Sequence, residues 1–203
     1  MQETVIDASR AARASTETDE QLMAAFKGGV AEAFTTLFAR YKQPLFGFFL
    51  RRVADPSQAE ELTQETFLAV LRATSRYEAS ALVRTWFYAI GLKILQAHRR
   101  KATFRAMFQG EQPAGREPAI ENGLDARLLV REAVGKLDPM DREVLLLREF
   151  EGLSYAEIAV LLLLPVNTVR SRLFRARMAL HDLLAAPVHQ ATINDHSGSK
   201  ERV

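Results

Sequence analysis

Apolar residues recur every three or four positions along nearly the whole chain. No segment shows the strict alternation of apolar and polar residues that is typical of a half-buried strand. The clearest example is the stretch 34–49, where phenylalanine, leucine and tyrosine fall on one face of a helix. A chain of 203 residues can hold one medium domain or two small ones, each with its own core. The pattern therefore predicts an all-α protein.

Composition divides this helical pattern into two small domains joined by a flexible linker. Residues 107–123 contain three glycines and two prolines and have little periodicity, which is typical of a linker. We predict a four-helix domain at 18–106 and a second helical domain at 124–186. The polar segments 1–17 and 187–203 are predicted to be disordered.

Capping residues indicate where several helices begin. Thr18 or Asp19 precedes the first helix, while Asp55 and Asp138 are each followed by a proline, an arrangement that favours the first turn of a helix. On the third and fourth helices, Leu71 and Ala97 are predicted to face the core. These local signals place the helix starts without any knowledge of tertiary contacts.

The end of the second domain has the pattern of a helix-turn-helix with a basic second helix. Ser154 and Glu157 form an S-x-x-E capping box before a short apolar helix. After a turn, a second helix carries a buried seam at Val169, Leu173, Ala176 and Leu180. Its opposite face carries Asn167, Arg170, Ser171, Phe174, Arg175 and Met178, and residues 158–181 include no acid.

Side chains of these types can read the edges of base pairs. Arginine pairs with guanine, asparagine pairs with adenine, and an apolar ring can contact the methyl group of thymine. The second helix is therefore predicted to enter the major groove of DNA. The alternative is a solvated basic face on an ordinary helix.

Two charge clusters of opposite sign lie in the first domain, although the net charge of the chain is only +2. Residues 55–65 contain four acids and no basic residue, whereas residues 93–105 are basic and follow Trp86, Phe87 and Tyr88. The asymmetry suggests one basic and one polyanionic partner, and the aromatic residues suggest stacking on unpaired bases. The alternatives are a solvated acidic surface, and core aromatics with Tyr88 at the surface.

Several classes of function find no support in the sequence. The absence of cysteine excludes disulfides and thiolate sites. The chain has no phosphate-binding loop or recognisable nucleophile with its base, and its four histidines lack ligand spacing. It also lacks a signal peptide and an apolar run of about 20 residues. We therefore expect a cytoplasmic protein that is not an enzyme, binds no cofactor or metal and does not insert into membranes.

Four motifs, in this order and spacing, resemble the extracytoplasmic-function (ECF) group of the sigma-70 family of bacterial RNA polymerase sigma factors. They are AEELTQETF (59–67), RTWFYAI (84–90), LDPMDREVLLLREFEGLSYAEIA (137–159) and NTVRSRLFRAR (167–177). The resemblance covers about residues 18–185. It implies an initiation factor with sigma region two at 18–106 and region four at 124–186, which directs core polymerase to promoters and helps to open the minus-ten element.

The resemblance also implies a role for each cluster. Docking on the clamp helices of core polymerase would fall to Glu60, Glu61, Gln64 and Glu65. The segment 73–82 and the following helix would bind the opened minus-ten strand through Tyr77, Arg84, Trp86, Tyr88, Lys93, Arg99 and Arg100. The minus-thirty-five element would be read by Asn167, Thr168, Arg170, Ser171, Phe174, Arg175 and Arg177. An anti-sigma factor is a further implied partner, which no residue of the chain indicates by itself.

The chain departs from the family pattern at three positions. Lys93 and Ala97 stand where the family usually has asparagine and aspartate, which changes the part of the fourth helix that handles the minus-ten strand. Leu163 stands in the turn of the helix-turn-helix, where the family usually has glycine. A left-handed conformation at a leucine costs about 1–2 kcal/mol; otherwise the turn has a different shape.

Two other functions remain open from the sequence. The chain could be a stand-alone helix-turn-helix regulator that binds duplex DNA without polymerase. It could also be a regulator whose first domain binds only proteins and whose second domain is a remnant. Failure to bind core polymerase would exclude the sigma factor, and tight operator binding without polymerase would favour the stand-alone regulator. Charge reversal at Arg170 and Arg175 without effect on promoter activity would support the remnant.

Overall fold

The computed structural model describes residues 17–78, 82–109 and 125–194, and describes side chains at 17–78, 82–107 and 128–185. The chain divides into two compact units, Met1–Ala114 and Gly115–Val203. Every regular element within the described ranges is a helix. None of these helices is long and apolar enough to cross a membrane.

The first unit contains four α-helices in its described part. They are α1 (Asp19–Lys27), α2 (Ala31–Val53), α3 (Pro56–Ala73) and α4 (Val83–Gln109), with a 3₁₀ turn at Thr74–Arg76. Thr18 forms a capping box with Gln21 at the start of α1, and the carboxylate of Asp55 accepts from the amides of Ser57 and Gln58 at the start of α3. The predicted caps are thus confirmed.

A cluster of aromatic side chains forms a large part of the core of the first unit. Phe48, Phe49 and Phe87 are fully buried. The ring of Tyr41 stacks on Phe87 at 4.5 Å, and Phe67 packs edge-on against Phe87 at 5.9 Å. Full burial of one large apolar side chain contributes about 1.5–3 kcal/mol, so this aromatic cluster is a main source of the unit's stability.

Two residues predicted to face this core are exposed instead. Leu71 lies beside the buried stripe of α3, which ends at Val70, and is 41% exposed. Ala97 lies on α4 beyond Leu95, its last buried residue in the described part, and is also exposed. Both predictions were wrong, because α4 extends past the core and Leu71 is one helical step away from the buried stripe.

The second unit contains α5 (Asp125–Lys136), α6 (Pro139–Glu149), α7 (Tyr155–Leu162) and α8 (Val166–Asn194) in its described part. Asp138 caps α6 by accepting from the amides of Met140 and Asp141. The predicted capping box before α7 is present, since Ser154 and Glu157 each accept from the other's amide. The core is aliphatic, with Val144, Leu147, Leu153, Ile158, Val169 and Leu173 all buried.

The last helix is longer than the sequence predicts. A disordered tail is expected from residue 187, because the segment 187–203 is polar. In the structure α8 continues to Asn194, just as α2 continues through Pro44. The predicted disordered segment 1–17 and the predicted linker lie mostly outside the described residues, as does the chain after residue 194.

Candidate functional site

The turn of the helix-turn-helix has a left-handed residue at Leu163. Its φ and ψ are 55° and 44°, and the next amide, of Leu164, donates to the carbonyl of Ala159 at 2.9 Å. The side chain of Leu163 is 91% exposed. The turn therefore keeps the left-handed shape that glycine would allow, with leucine bearing the strain.

The helix α8 presents the face that its sequence predicts. Val169, Leu173 and Ala176 of the predicted seam are buried, and Leu180 is partly buried. On the opposite side Asn167, Ser171 and Met178 are exposed, and Phe174 is 66% exposed. The ring of Phe174 therefore lies on the same exposed face as Asn167, Arg170 and Ser171, where it is accessible to a partner.

The arginines of α8 are not equally free to contact DNA. Arg172 and Arg175 both donate to the carboxylate of Asp141 on α6, and Arg177 donates to Glu149 at 2.6 Å. Arg170 lies near the ring of Tyr155 and donates to Asn167 at 3.4 Å. Among the residues that the structure describes, no carboxylate lies within 4.0 Å of its guanidinium.

These acids are a feature that the sequence reasoning missed. The lack of acids at 158–181 suggested that the positive charge of α8 is not neutralised. Asp141 and Glu149 belong to a different helix, 34 and 28 residues away from their partners, so a scan along α8 alone could not find them.

Asp141 is charged although it is buried. Burial by itself favours the protonated acid, but the hydrogen bonds from Arg175 and Arg172 hold the pKa of the Asp141 carboxyl below its ordinary value. The residue is only 7% exposed. The cluster is therefore an ion pair with two cations on one buried anion.

The predicted acidic surface of the first unit lies on the exposed side of α3. Glu60, Glu61, Gln64 and Glu65 are all exposed there. A groove of about 290 Å³ lies beside them and is lined by Phe38 and Phe46 of α2 and by residues of α3 that include Glu60 and Gln64. The described residues contain no group of three or more acids and histidines that could hold a metal ion.

The predicted minus-ten residues are divided between surface and core. Lys93, Arg99 and Arg100 are exposed along α4, and Arg84 and Trp86 are partly exposed. Tyr77 and Tyr88 are 5% and 3% exposed, with Tyr77 packed on Trp86 and Tyr88 packed on Phe48.

The placement of Tyr88 at the surface was wrong, because the buried stripe of α4 is wide enough to include both Phe87 and Tyr88. Neither Tyr77 nor Tyr88 presents an open ring on which a base could stack.

The segment before α4 is held at both ends by α1. The Lys27 ammonium donates to the carbonyl of Tyr77 at 2.8 Å, and the Val83 amide donates to the carboxylate of Glu20 at 3.2 Å. Helix α1 is itself attached to α2 through Asp19, which accepts from Arg40 and from the hydroxyl of Tyr41. Residues 79–81, inside this segment, lie outside the described ranges.

Comparison with known proteins agrees with this architecture. The family model "Sigma-70 region 2" matches residues 37–105, and "Sigma-70, region 4" matches residues 127–180. The chain is 31% identical to RNA polymerase sigma-H factor of Pseudomonas aeruginosa, over 86% of this chain and 98% of the relative. It is 37% identical to ECF RNA polymerase sigma factor SigC of Mycobacterium tuberculosis, over 65% and 73% of the two chains.

A solved structure has the same fold. It is the sigma factor RpoE of Bartonella quintana, determined in complex with the anti-sigma factor NepR. The two chains are 23% identical, the comparison covers 76% of this chain and 98% of RpoE, and the TM-score is 0.65. With both sigma regions matched in the predicted order, the chain belongs to the ECF group of the sigma-70 family of bacterial RNA polymerase sigma factors.

Proposed function

We propose that the chain, which acts as a sigma factor, docks on core polymerase through α3 and reads promoter DNA through α4 and α8. The observation that carries the docking proposal is the row of exposed acids on α3, formed by Glu60, Glu61 and Glu65. The protein would act in the cytoplasm with polymerase and supply recognition and strand opening without a catalytic reaction of its own.

The surface of α3 fits a helical partner that is basic and partly apolar. Glu60, Glu61, Gln64 and Glu65 offer negative charge and hydrogen bonds, while the adjacent groove offers the ring of Phe38, which is 38% exposed. Complementary charge speeds association and selects the partner, and a buried apolar contact adds affinity. The clamp helices of core polymerase are the partner proposed for this surface.

The exposed face of α8 fits the minus-thirty-five element. Asn167, Thr168, Arg170 and Ser171 lie in the first two turns, where recognition helices contact base edges. Phe174 lies one turn further on and can meet a thymine methyl. Arg170 is a candidate for a guanine contact, and its guanidinium has no carboxylate partner among the described residues. Arg175 and Arg177 would contact DNA while still held by Asp141 and Glu149.

The minus-ten strand is proposed to follow α4. Arg84, Lys93, Arg99 and Arg100 give this helix a row of positive charges, and the partly exposed Trp86 offers a ring for stacking. Tyr77 and Tyr88 would contribute by supporting Trp86 and the core beneath it. Lys93 adds a positive charge that attracts the strand whatever its sequence.

An anti-sigma factor is proposed as the regulatory partner. The support is the likeness in fold to RpoE, which was solved with such a factor bound. The same acidic surface of α3 that is proposed for polymerase would be a suitable target, because an inhibitor bound there would exclude polymerase directly.

The docking proposal is tested by reversing the charge of the α3 surface. We expect Glu61→Lys, and more weakly Gln64→Ala, to reduce affinity for core polymerase by tenfold or more, or about 1.4 kcal/mol. Both side chains are exposed, so the circular dichroism spectrum should not change. The measurement is the Kd of labelled protein for purified core enzyme.

A matched control for this experiment is Glu17→Lys, which reverses an exposed charge of the same unit away from α3. It should bind core polymerase as the unaltered protein does. Equal affinity of Glu61→Lys and the unaltered protein would contradict the docking surface.

A further inference from the structure

We infer that Asp141 is a positioning residue for promoter recognition, which holds the guanidinium of Arg175 in one orientation towards DNA. The inference rests on the proposed function of α8 in reading the minus-thirty-five element. Asp141 itself lies on α6 and is buried, so it acts through the arginines and not by touching DNA.

The geometry of the ion pair leaves one edge of Arg175 available. Its Nε donates to Oδ2 of Asp141 at 3.1 Å, and its Nη2 donates to Oδ1 at 3.2 Å. A guanidinium has five donor hydrogens in a rigid plane. The Asp141 carboxylate binds the side edge of the guanidinium, which is formed by Nε and Nη2. The end edge, formed by Nη1 and the second hydrogen of Nη2, remains for another bidentate partner. The Arg175 side chain is 55% exposed, against 10% for that of Asp141.

The carboxylate of Asp141 is itself held in place. The amide of Asp141 donates to the carboxylate of Asp138 at 3.2 Å, at the capped start of α6, where the helix dipole favours negative charge. Arg172 also donates to Oδ1 of Asp141, at 2.7 Å, and its guanidinium lies 3.5 Å from the carboxylate of Asp138. With Arg172 as a second partner, Asp141 has little freedom to rotate away from Arg175.

This ion pair should increase discrimination between bases and lower the affinity for DNA of any sequence. One anion neutralises part of the charge of two arginines, and DNA affinity and its salt dependence rise with the positive charge available to phosphates. A fixed end edge, in contrast, matches the two acceptors of guanine in only one register. Loss of the charge of Asp141 should therefore strengthen non-specific DNA binding and weaken base preference. An acid with only a structural role would weaken both when altered.

The test uses polymerase holoenzyme reconstituted with the full-length protein. Transcription is measured from promoters with a constant minus-ten element and a randomised minus-thirty-five element, and binding to non-promoter duplex DNA is measured over a range of salt concentrations. The variants are Asp141→Asn, Arg175→Ala and the two combined. Glu149→Gln, which removes the carboxylate partner of Arg177, is the matched control.

We expect Asp141→Asn to reduce the preference for the favoured base by about fivefold or more at one position of the minus-thirty-five element. This position should be the same one at which Arg175→Ala reduces the preference. The combined variant should be no more relaxed than Arg175→Ala. Non-promoter binding by Asp141→Asn should strengthen and its salt dependence should steepen. Glu149→Gln should leave preference at that position unchanged.

The inference is overturned if Asp141→Asn lowers transcription equally on all upstream sequences, or relaxes positions that do not depend on Arg175. If Asp141→Asn does not fold, Arg175→Lys replaces it, since lysine keeps the charge and loses the bidentate edge. Unchanged preference in Arg175→Lys then overturns the inference. Arg170→Ala separates the inference about Asp141 from the proposed function of α8. If both the Arg175 variant and Arg170→Ala leave the base preference unchanged at every position of the minus-thirty-five element, α8 does not read that element.

Discussion

Two residues with a β-carbon adopt the left-handed conformation in the described part of the chain. Ala54 ends α2 with a φ of 58°, and Leu163 ends α7 with a φ of 55°. This conformation brings the β-carbon close to the backbone and costs about 1–2 kcal/mol. Leu163 is 91% exposed, so its side chain gains almost no burial in return. No contact among the described residues of the second unit explains a leucine at this position.

We expect Leu163→Gly to raise the free energy of unfolding of the second unit by about 0.5–1 kcal/mol. Glycine removes the strain, but part of the gain is lost because glycine also has more freedom in the unfolded chain. Urea denaturation followed by circular dichroism measures the change.

Val160→Gly is the matched control for Leu163→Gly. Val160 is also exposed, at 70%, but lies within α7 and has no positive φ. Its replacement by glycine should destabilise the unit by up to about 1 kcal/mol. If Leu163→Gly destabilised the protein to the same extent, strain at the turn would not be the dominant effect.

Helix α1 forms hydrogen bonds at both described ends of the segment that leads into α4. It contacts that segment at two points, through Lys27 at the carbonyl of Tyr77 and through Glu20 at the amide of Val83. Burial and the nearby charge of Glu20 both raise the pKa of the Tyr77 hydroxyl, in agreement with a close approach of α1 to this segment. Because the family resemblance assigns this segment and the following helix to the minus-ten strand, α1 should influence strand opening without touching DNA.

We expect Glu20→Ala to reduce the yield of open promoter complex about two- to tenfold. It removes a hydrogen bond worth about 0.5–1.5 kcal/mol from the start of α4. Permanganate reactivity of unpaired thymines in the minus-ten element measures the open complex, and core binding should not change.

Glu20→Gln is the control, because its amide oxygen can still accept from the Val83 amide. It should open promoters nearly as the unaltered protein does. Equal loss in both variants would mean that the charge of Glu20, and not its hydrogen bond, is what matters.

The sequence predicted the helices better than their contacts, and the reason is the range of the interactions involved. Thr18, Asp55, Asp138 and Ser154 each cap a helix by binding an amide two or three residues away, so the signal lies in a short stretch of sequence. At Leu163 the sequence left two turn shapes open, and the structure shows the left-handed one.

Contacts between helices depend on how the helices cross, which periodicity does not specify. The pairing of Asp141 with Arg175 spans 34 residues, and that of Glu20 with Val83 spans 63. The burial of Tyr88 depends on how much of α4 is covered by its neighbours. The parts of the candidate site that the sequence did not predict are therefore those made by two helices together.

At the scale of the whole molecule, the two units have separate cores of different character. The first is built on aromatic residues such as Phe48 and Phe87, and the second on aliphatic residues such as Leu147 and Ile158. The single tryptophan of the chain, Trp86, lies in the first unit and packs near Tyr77 and Phe87. Its fluorescence should therefore report the unfolding of the first unit alone, while circular dichroism reports both.

Separate cores predict separate unfolding transitions, and one substitution in each core tests this. Phe48→Ala and Leu147→Ala remove fully buried side chains, which costs about 3–5 and 2–5 kcal/mol respectively. For units of this size each should lower the Tm of its own unit by about 10 °C or more. Phe48→Ala should shift the transition seen by Trp86 fluorescence, and Leu147→Ala should leave that transition in place while shifting one seen only by circular dichroism. A Leu147→Ala variant that moved the fluorescence transition equally would show that the two units unfold as one cooperative body, which would contradict the prediction.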